Sequence, residues 1–310
     1  MTYFGNTIRK ISGALSSPVN RARFWFLVTL TVLLLVYWQA GQWFRSQLLT
    51  EQRAQVAEEV TFRGSALSAE INRRFALLRG LYAFVLTESH QENFNSQFQV
   101  YAANLYANTS GIHNIAAAPD GIIQYIYPPE GNENILGYDL LHAFSSDLQE
   151  DVQLAIKTGE IILGFPLDYA QEGWGLAART AVFLDDDTFW GMISIVIDIP
   201  TLLREAGLDV ESPDLDFLLV DRSGEVIYET GPTQGKAGIT YKLGLPEEPW
   251  ELSGYPKVDW DDIIRPDLLP IQISGMLIVL LLSGLVYVSV NRQARLSVAV
   301  MQRTQEIAQI

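Results

Sequence analysis

The sequence predicts an α+β domain held between two transmembrane helices and led by one long helix. Three observations predict it. Two uncharged apolar runs, 24–44 and 268–290, are long enough to cross a bilayer. Residues 45–88, free of proline, carry an 11-residue apolar repeat. The rest of the centre alternates in short runs bounded by turn signals, with helical segments before and between them.

The first run, FWFLVTLTVLLLVYWQAGQWF, spans Phe24 to Phe44. A hydrocarbon core of about 30 Å takes roughly 20 residues at 1.5 Å rise. Phe24, Trp25 and Phe26 at one end and Trp38 and Trp43 near the other match the aromatic belts of membrane interfaces. The run exceeds the apolar region of a signal peptide and no A-x-A-like cleavage site follows, so it reads as a retained helix. The second run, Leu268 to Val290, has Gln272 as its one strongly polar side chain. Charge is divided at these runs. Residues 1–23 hold four basic and no acidic side chains, 269–310 three basic and one acidic, and 45–268 hold 14 basic and 35 acidic, so a centre of −21 lies between basic ends in a chain of net −15. Arg21 and Arg23 before the first span and Arg292 and Arg295 after the second predict both termini in the cytoplasm and 45–267 outside, in an inner-membrane, multi-pass protein.

In the spine helix, Leu49, Val56, Val60, Leu67, Ile71, Leu78 and Tyr82 alternate at spacings of 7 and 4. At about 3.67 residues per turn such a stripe stays on one face. It serves either a parallel homodimer stalk or a ridge on which the chain's own domain packs, and the added Phe75, Leu81, Phe84 and Val85 favour packing at the far end. Phe94, Phe98, Tyr101, Ala102 and Leu105 predict a second helix over 93–108. Strands follow at 111–118 and 122–128, parted by the Pro119-Asp120-Gly121 turn. A helix over 147–158 has Asp147 as N-cap, Glu150 completing a capping box and Gly159 as stop. Strands are expected over 161–169, 176–184 and 189–199, then a short helix at 200–207. A hairpin around Asp221–Gly224 and strands at 238–243 and 250–252 form a smaller sheet. The map is a cytoplasmic tail (1–23), a span (24–44), the spine (45–92), a first sheet part (93–207), a second (208–267), a second span (268–290) and a cytoplasmic signalling helix (291–310) with Leu296, Val300, Thr304 and Ile307 at heptad-like spacing.

Composition excludes several functions. With no cysteine, disulfides, Cys-ligated zinc, iron–sulfur clusters and thiol catalysis are ruled out. Three scattered histidines offer neither metal-ligand spacing nor a nucleophile–base set, so no metal, no cofactor and no catalysis by this chain are expected. The acidic balance argues against nucleic acid. Two classes remain, a small-molecule sensor and a structural or adhesive membrane protein that binds another protein.

The first candidate site residue is Arg179. In LAARTAVFL, alternation puts it on one strand face between Ala177 and Ala181, a cation with space around it. A buried arginine needs a partner. Either an anionic or carbonyl-bearing ligand supplies it, or Asp139 does in a structural pair. Tyr125 and Tyr127 on the second strand, with Tyr169, offer aromatic walls or plain core. Asp147 is either helix cap or ligand contact, and Trp174, after Gly173, is placed to lid the pocket.

The stretches GIHNIAAAPDG (111–121), EGNENILGYDLL (130–141), IKTG (156–159), GFPL (164–167), GLAARTAVF (175–183) and FWGMISIVID (189–198) together resemble the CHASE domain, an extracellular sensor module of bacterial and plant receptors. The resemblance runs from Phe75 to about Leu208. It implies a PAS-like sheet distal to the membrane that holds the small-molecule pocket, a second PAS-like sheet nearer it, and the long helix along both. It also implies coupling to a cytoplasmic output domain, a histidine kinase, nucleotide cyclase, diguanylate cyclase or phosphodiesterase; the chain is then either part of such a larger receptor, the favoured expectation, or a detached sensor. Plant cytokinin-binding members have threonine where this sequence has Arg179 and an acid near Asp147; the arginine argues against an adenine-type ligand.

Overall fold

The structure is a computed structural model and describes residues 18–143, 145–164, 175–185, 187–245 and 249–307. Its helices are α1 (Pro18–Glu88), α2 (Phe94–Ala107), α3 (Ser146–Thr158), α4 (Ile199–Glu205) and α5 (Trp260–Ile307). The first sheet holds β1 (Ile112–Pro119), β2 (Tyr125–Tyr127), β3 (Ile162–Gly164), β4 (Gly175–Phe183) and β5 (Phe189–Asp198), ordered β2-β1-β5-β4-β3. The second holds β6 (Leu215–Val220), β7 (Val226–Glu229), β8 (Ile239–Leu243) and β9 (Trp250–Pro256), ordered β7-β6-β9-β8. Every strand pair is antiparallel. The fold is thus α+β, with one long helix, two antiparallel sheets and two helices long and apolar enough to cross a membrane. Residues 55–257 form one compact unit; 18–54 with 258–307 form the other.

In the larger unit α1 carries the core. Val60, Leu67, Ile71, Phe75, Leu78, Leu81 and Val85 are buried, which is the face that the 11-residue repeat marks. They meet Ile115, Ala117, Leu176, Ala178, Ile193 and Ile195 of the first sheet and Phe217, Leu219, Leu243 and Leu252 of the second in one continuous apolar cluster. Two glycines let α1 approach the second sheet closely: a Cβ at Gly64 would overlap the Tyr241 ring of β8, and one at Gly254 of β9 would overlap Val60. α2 buries Phe94, Phe98 and Ala102, and its Tyr101 ring stacks on Phe84 of α1 at 4.5 Å. α3 ends at Gly159, whose φ of +68° is the left-handed stop that glycine adopts without a Cβ clash. Asp198 caps α4 by accepting from the Thr201 amide at 2.8 Å, with Pro200 in the first turn.

The opposite face of the first sheet has its own core. Ala116, Ala118, Ile126, Ile162, Ala181 and Met192 pack there under Leu148, Val152 and Ala155 of α3 and Ile123, Leu140 and Ala143 of the 120–143 segment.

In the smaller unit α1 and α5 run side by side. Phe26 meets Tyr287 edge-on at 5.7 Å, Tyr37 donates from its hydroxyl to the Gln272 carbonyl at 3.1 Å, and Arg45 holds Asp261 at 2.6 Å. The pairing is antiparallel, since α1 positions rise as their α5 partners fall. Asp261 and Asp262 lie in the first turn of α5, where carboxylates suit the helix dipole.

Candidate ligand-binding site

Strand register places the polar residues of the first sheet. One row across the α3-covered face reads Ile126, Ala116, Ser194, Arg179 and Ile162; the next reads Asn114, Val196, Ala177 and Gly164. Ser194 and Ile162 flank Arg179 across the sheet and Ala177 and Ala181 lie beside it along β4, so the cation has small neighbours on three sides and an isoleucine on the fourth. Asn114, Ser194 and Arg179 are all buried. Asn114 Nδ2 donates to Asn132 Oδ1 at 2.8 Å, and Asn132 Nδ2 donates to the Pro128 carbonyl at 2.9 Å, which ties the 128–132 loop to this face.

The acid beside Arg179 comes from α3. Asp151 Oδ2 lies 4.0 Å from Arg179 Nη1, and Asp151 Oδ1 accepts from Arg222 Nη2 at 2.7 Å. Burial lowers the Arg179 pKa to about 10 against the pull of Asp151; the guanidinium is still charged at neutral pH. Burial likewise raises the Asp151 carboxyl, and the two arginines oppose that rise. Beside this group lies a cavity of about 360 Å³, within the range of small-molecule sites. Tyr138, Asp147, Asp151 and Gly164 line it from the first sheet's side, and Arg222, Ile227 and Trp250 from the second's. Chemically the region can pair an anionic or carbonyl group with an arginine and a donor with a carboxylate.

The family described as CHASE domain matches residues 57–230, more than half of the chain. The chain belongs to the CHASE-domain family. The sensory domain of the Campylobacter jejuni chemoreceptor Tlp3 superposes at TM-score 0.52 with 13% identity, over 71% of this chain and 98% of its own. The Tlp3 ligand-binding domain in complex with L-valine gives 0.52 with 12% identity, over 71% and 97%. An extracellular ligand binding receptor from Desulfohalobium retbaense gives 0.44 with 14% identity, over 67% of this chain and 39% of that one. No curated protein sequence matches the chain significantly. The Tlp3 likeness shows the fold, that of a chemoreceptor sensory domain.

Within the CHASE domain the residues singled out from sequence are not all brought together. Asp139 is not the acid at Arg179. It is partly exposed, its Oδ2 is 2.9 Å from His142 Nδ1, and its Oδ1 accepts from the Leu141 and His142 amides. The His142 hydrogen bond leads the effects that hold its carboxyl below the usual range. Tyr125 and Tyr127 do not wall the Arg179 face. Their neighbour Ile126 points there, so alternation turns both tyrosines to α2, where Tyr125 meets Phe94 at 4.9 Å and Tyr127 meets Tyr106 at 5.6 Å. Asp147 lies one residue inside α3 rather than at its cap, because Ser145 takes the N-cap position; it is exposed and lines the cavity. Tyr169 and Trp174 lie outside the described residues. Sequence reasoning missed Asp151, Arg222, Asn114 and Ser194. Asp151 had a signal: it sits on the apolar stripe of α3 between Leu148 and Ala155, three and four residues away, where only a partnered carboxylate belongs. Arg222 had none, since its partner is 71 positions away.

Proposed function

We propose that the chain is the sensing part of a membrane receptor, which binds a small molecule on the α3-covered face of the first sheet and passes the event through its apolar helices to a cytoplasmic output domain. In this reading residues 45–267 lie outside the cytoplasmic membrane, both termini lie inside, and the chain itself performs no catalysis. The single observation that carries it is Arg179: a charged guanidinium, 3% exposed, on an inner strand of the sheet with Ala177, Ala181 and Ser194 beside it. Burying a cation there is expensive, and recognition of an anionic or carbonyl group is the return. L-valine, bound by the Tlp3 domain of the same fold, carries such a group. The acids of the adjoining cavity suit a ligand that also bears a donor.

The receptor reading includes a parallel homodimer. Phe62, Ala69, Ala76 and Ala83 recur every seven residues along α1, and all four are at least partly exposed on the side turned from the sheets. A face of this spacing suits a second copy of the helix.

The test is a thermal-shift screen of the whole chain in detergent against small carboxylic acids, amino acids and purines. A ligand at a hundredfold excess over its Kd stabilises by about 2.7 kcal/mol, which for a unit of this size raises Tm by roughly 5–10 °C. At least one carboxylate should do so in the wild type and fail in Arg179→Ala. A carboxylate shift undiminished in a folded Arg179→Ala variant refutes the assigned site.

A further inference from the structure

Asp151 belongs to α3, yet it serves arginines from both sheets. Its Oδ1 accepts from Arg222 Nη2 at 2.7 Å, while its Oδ2 lies 4.0 Å from Arg179 Nη1. Room for that carboxylate exists because residue 164 is glycine: a Cβ there would overlap Oδ2 and stand 3.3 Å from Arg179 Nη1. Arg222 sits in the β6–β7 turn, which Asp221 Oδ1 organises by accepting from the Ser223 and Glu225 amides, both at 2.8 Å. Farther along β6, Phe217 lies under the guanidinium of Arg63, 4.8 Å from its ring centroid. Arg63 belongs to α1 and donates to the Gly207 carbonyl. A continuous series of contacts therefore runs from Arg179 through Asp151, Arg222 and β6 to the helix that contains the first apolar run.

We propose that Asp151 couples the two sheets electrostatically, as a shared counter-ion through which the state of Arg179 sets the hold on Arg222 and the β6–β7 turn. At a largely buried carboxylate the pull on two cations is stronger than in bulk water and sensitive to position. The two oxygens share one Cγ, so a movement that brings Oδ2 toward Arg179 or releases it also moves Oδ1 against Arg222. An anion at Arg179 draws the guanidinium from Asp151 and leaves the carboxylate to Arg222. The biological sense of this relay rests on the reading of the Arg179 face as the ligand site, but the coupling is a property of the ligand-free protein and is measured without ligand.

Contact alone does not demonstrate coupling, so the test is reciprocal hydrogen exchange on the whole chain in detergent, with no ligand added. Arg222→Ala lies in a partly exposed turn and leaves both cores intact. It should change exchange at Leu163, Gly164 and residues 177–179 by about fivefold or more, the lower end of coupling between sites. Arg179→Lys should change exchange across 221–227 in return, and in an Asp151→Asn background neither substitution should reach the other sheet. Should Arg179→Lys fail to fold, Arg222→Ala with and without Asp151→Asn still decides. Effects confined to the substituted sheet, or effects that still cross in the Asp151→Asn background, overturn the proposal. Either result leaves Arg179-dependent ligand binding standing or falling on its own screen.

Discussion

Arg74 of α1 is 1% exposed and satisfied largely by charge. It donates to Glu70 Oε2 at 3.0 Å, to Glu205 Oε2 of α4 at 2.6 Å and to the Ser110 carbonyl at 3.1 Å. Burial pushes the Glu205 carboxyl up, but the hydrogen bonds from Arg74 and Ser110 outweigh it and hold the group below its ordinary range. A carboxyl with a depressed folded pKa contributes stability above the unfolded value and loses it as pH falls through the folded one. Glu205→Gln should therefore be less stable than the wild type at neutral pH, and the gap should close as pH falls below the ordinary glutamate value of about 4.3 and through the lower folded one. Urea unfolding of both proteins across that range checks it; a gap independent of pH would contradict it. The same scale shows where the sequence is legible. Alternation within one strand is enough to place Arg179 on a face with Ala177 and Ala181. It cannot choose among acids on other elements, and Asp139, near in the motif, lies in a loop that turns its carboxylate to His142. Of the two uses open to Tyr125 and Tyr127, the structure makes them core on the α2 side: alternation separates faces, but which face α2 covers is decided by packing between elements.

Among elements, α1 was the most legible, since a periodic apolar stripe over dozens of residues admits one face. From Val60 to Leu78 the stripe forms the ridge that packs on both sheets, one of the two uses it allowed. What periodicity could not show is how close the ridge comes. Gly64 reads as a weak point in a helix, yet the Tyr241 ring occupies the space of its missing Cβ. Alanine there gains about 1 kcal/mol of helix propensity and incurs about 1–3 kcal/mol of overpacking. The larger effect decides the sign: Gly64→Ala should lower stability by up to about 2 kcal/mol, whereas the same change at Gly41, with nothing within 4 Å, should raise it or leave it unchanged. Chemical denaturation of the two variants in one detergent compares them. Equal stabilisation at both positions would contradict the close approach of α1 and β8. For α3 the stop at Gly159 was readable from a single residue, while the start lies ahead of the expected cap because Ser145, rather than Asp147, adopts the extended N-cap conformation.

At the scale of the whole molecule, the acidic centre between basic ends and the two apolar helices support one topology. Cysteines placed at Gln149 and at Gln293 in this cysteine-free chain should label oppositely in intact cells. A membrane-impermeant maleimide should reach Gln149→Cys and reach Gln293→Cys only after permeabilisation; labelling of the latter in intact cells would reverse the orientation. The order of helices and strands across 94–256 was largely legible because each segment has its own period and its own turn residues. The cavity against Asp151 was not, because it is assembled from α3, β3 and a turn of the other sheet. The central claim, that a small molecule binds on the Arg179 face, is tested most directly by hydrogen exchange of the whole chain with and without a ligand that raises its Tm. The account predicts that protection concentrates in β1, β4, β5 and α3 around Asn114, Arg179, Ser194 and Asp151, and vanishes in Arg179→Ala. Protection confined to α1, α5 or β8, with these strands unchanged, would contradict it.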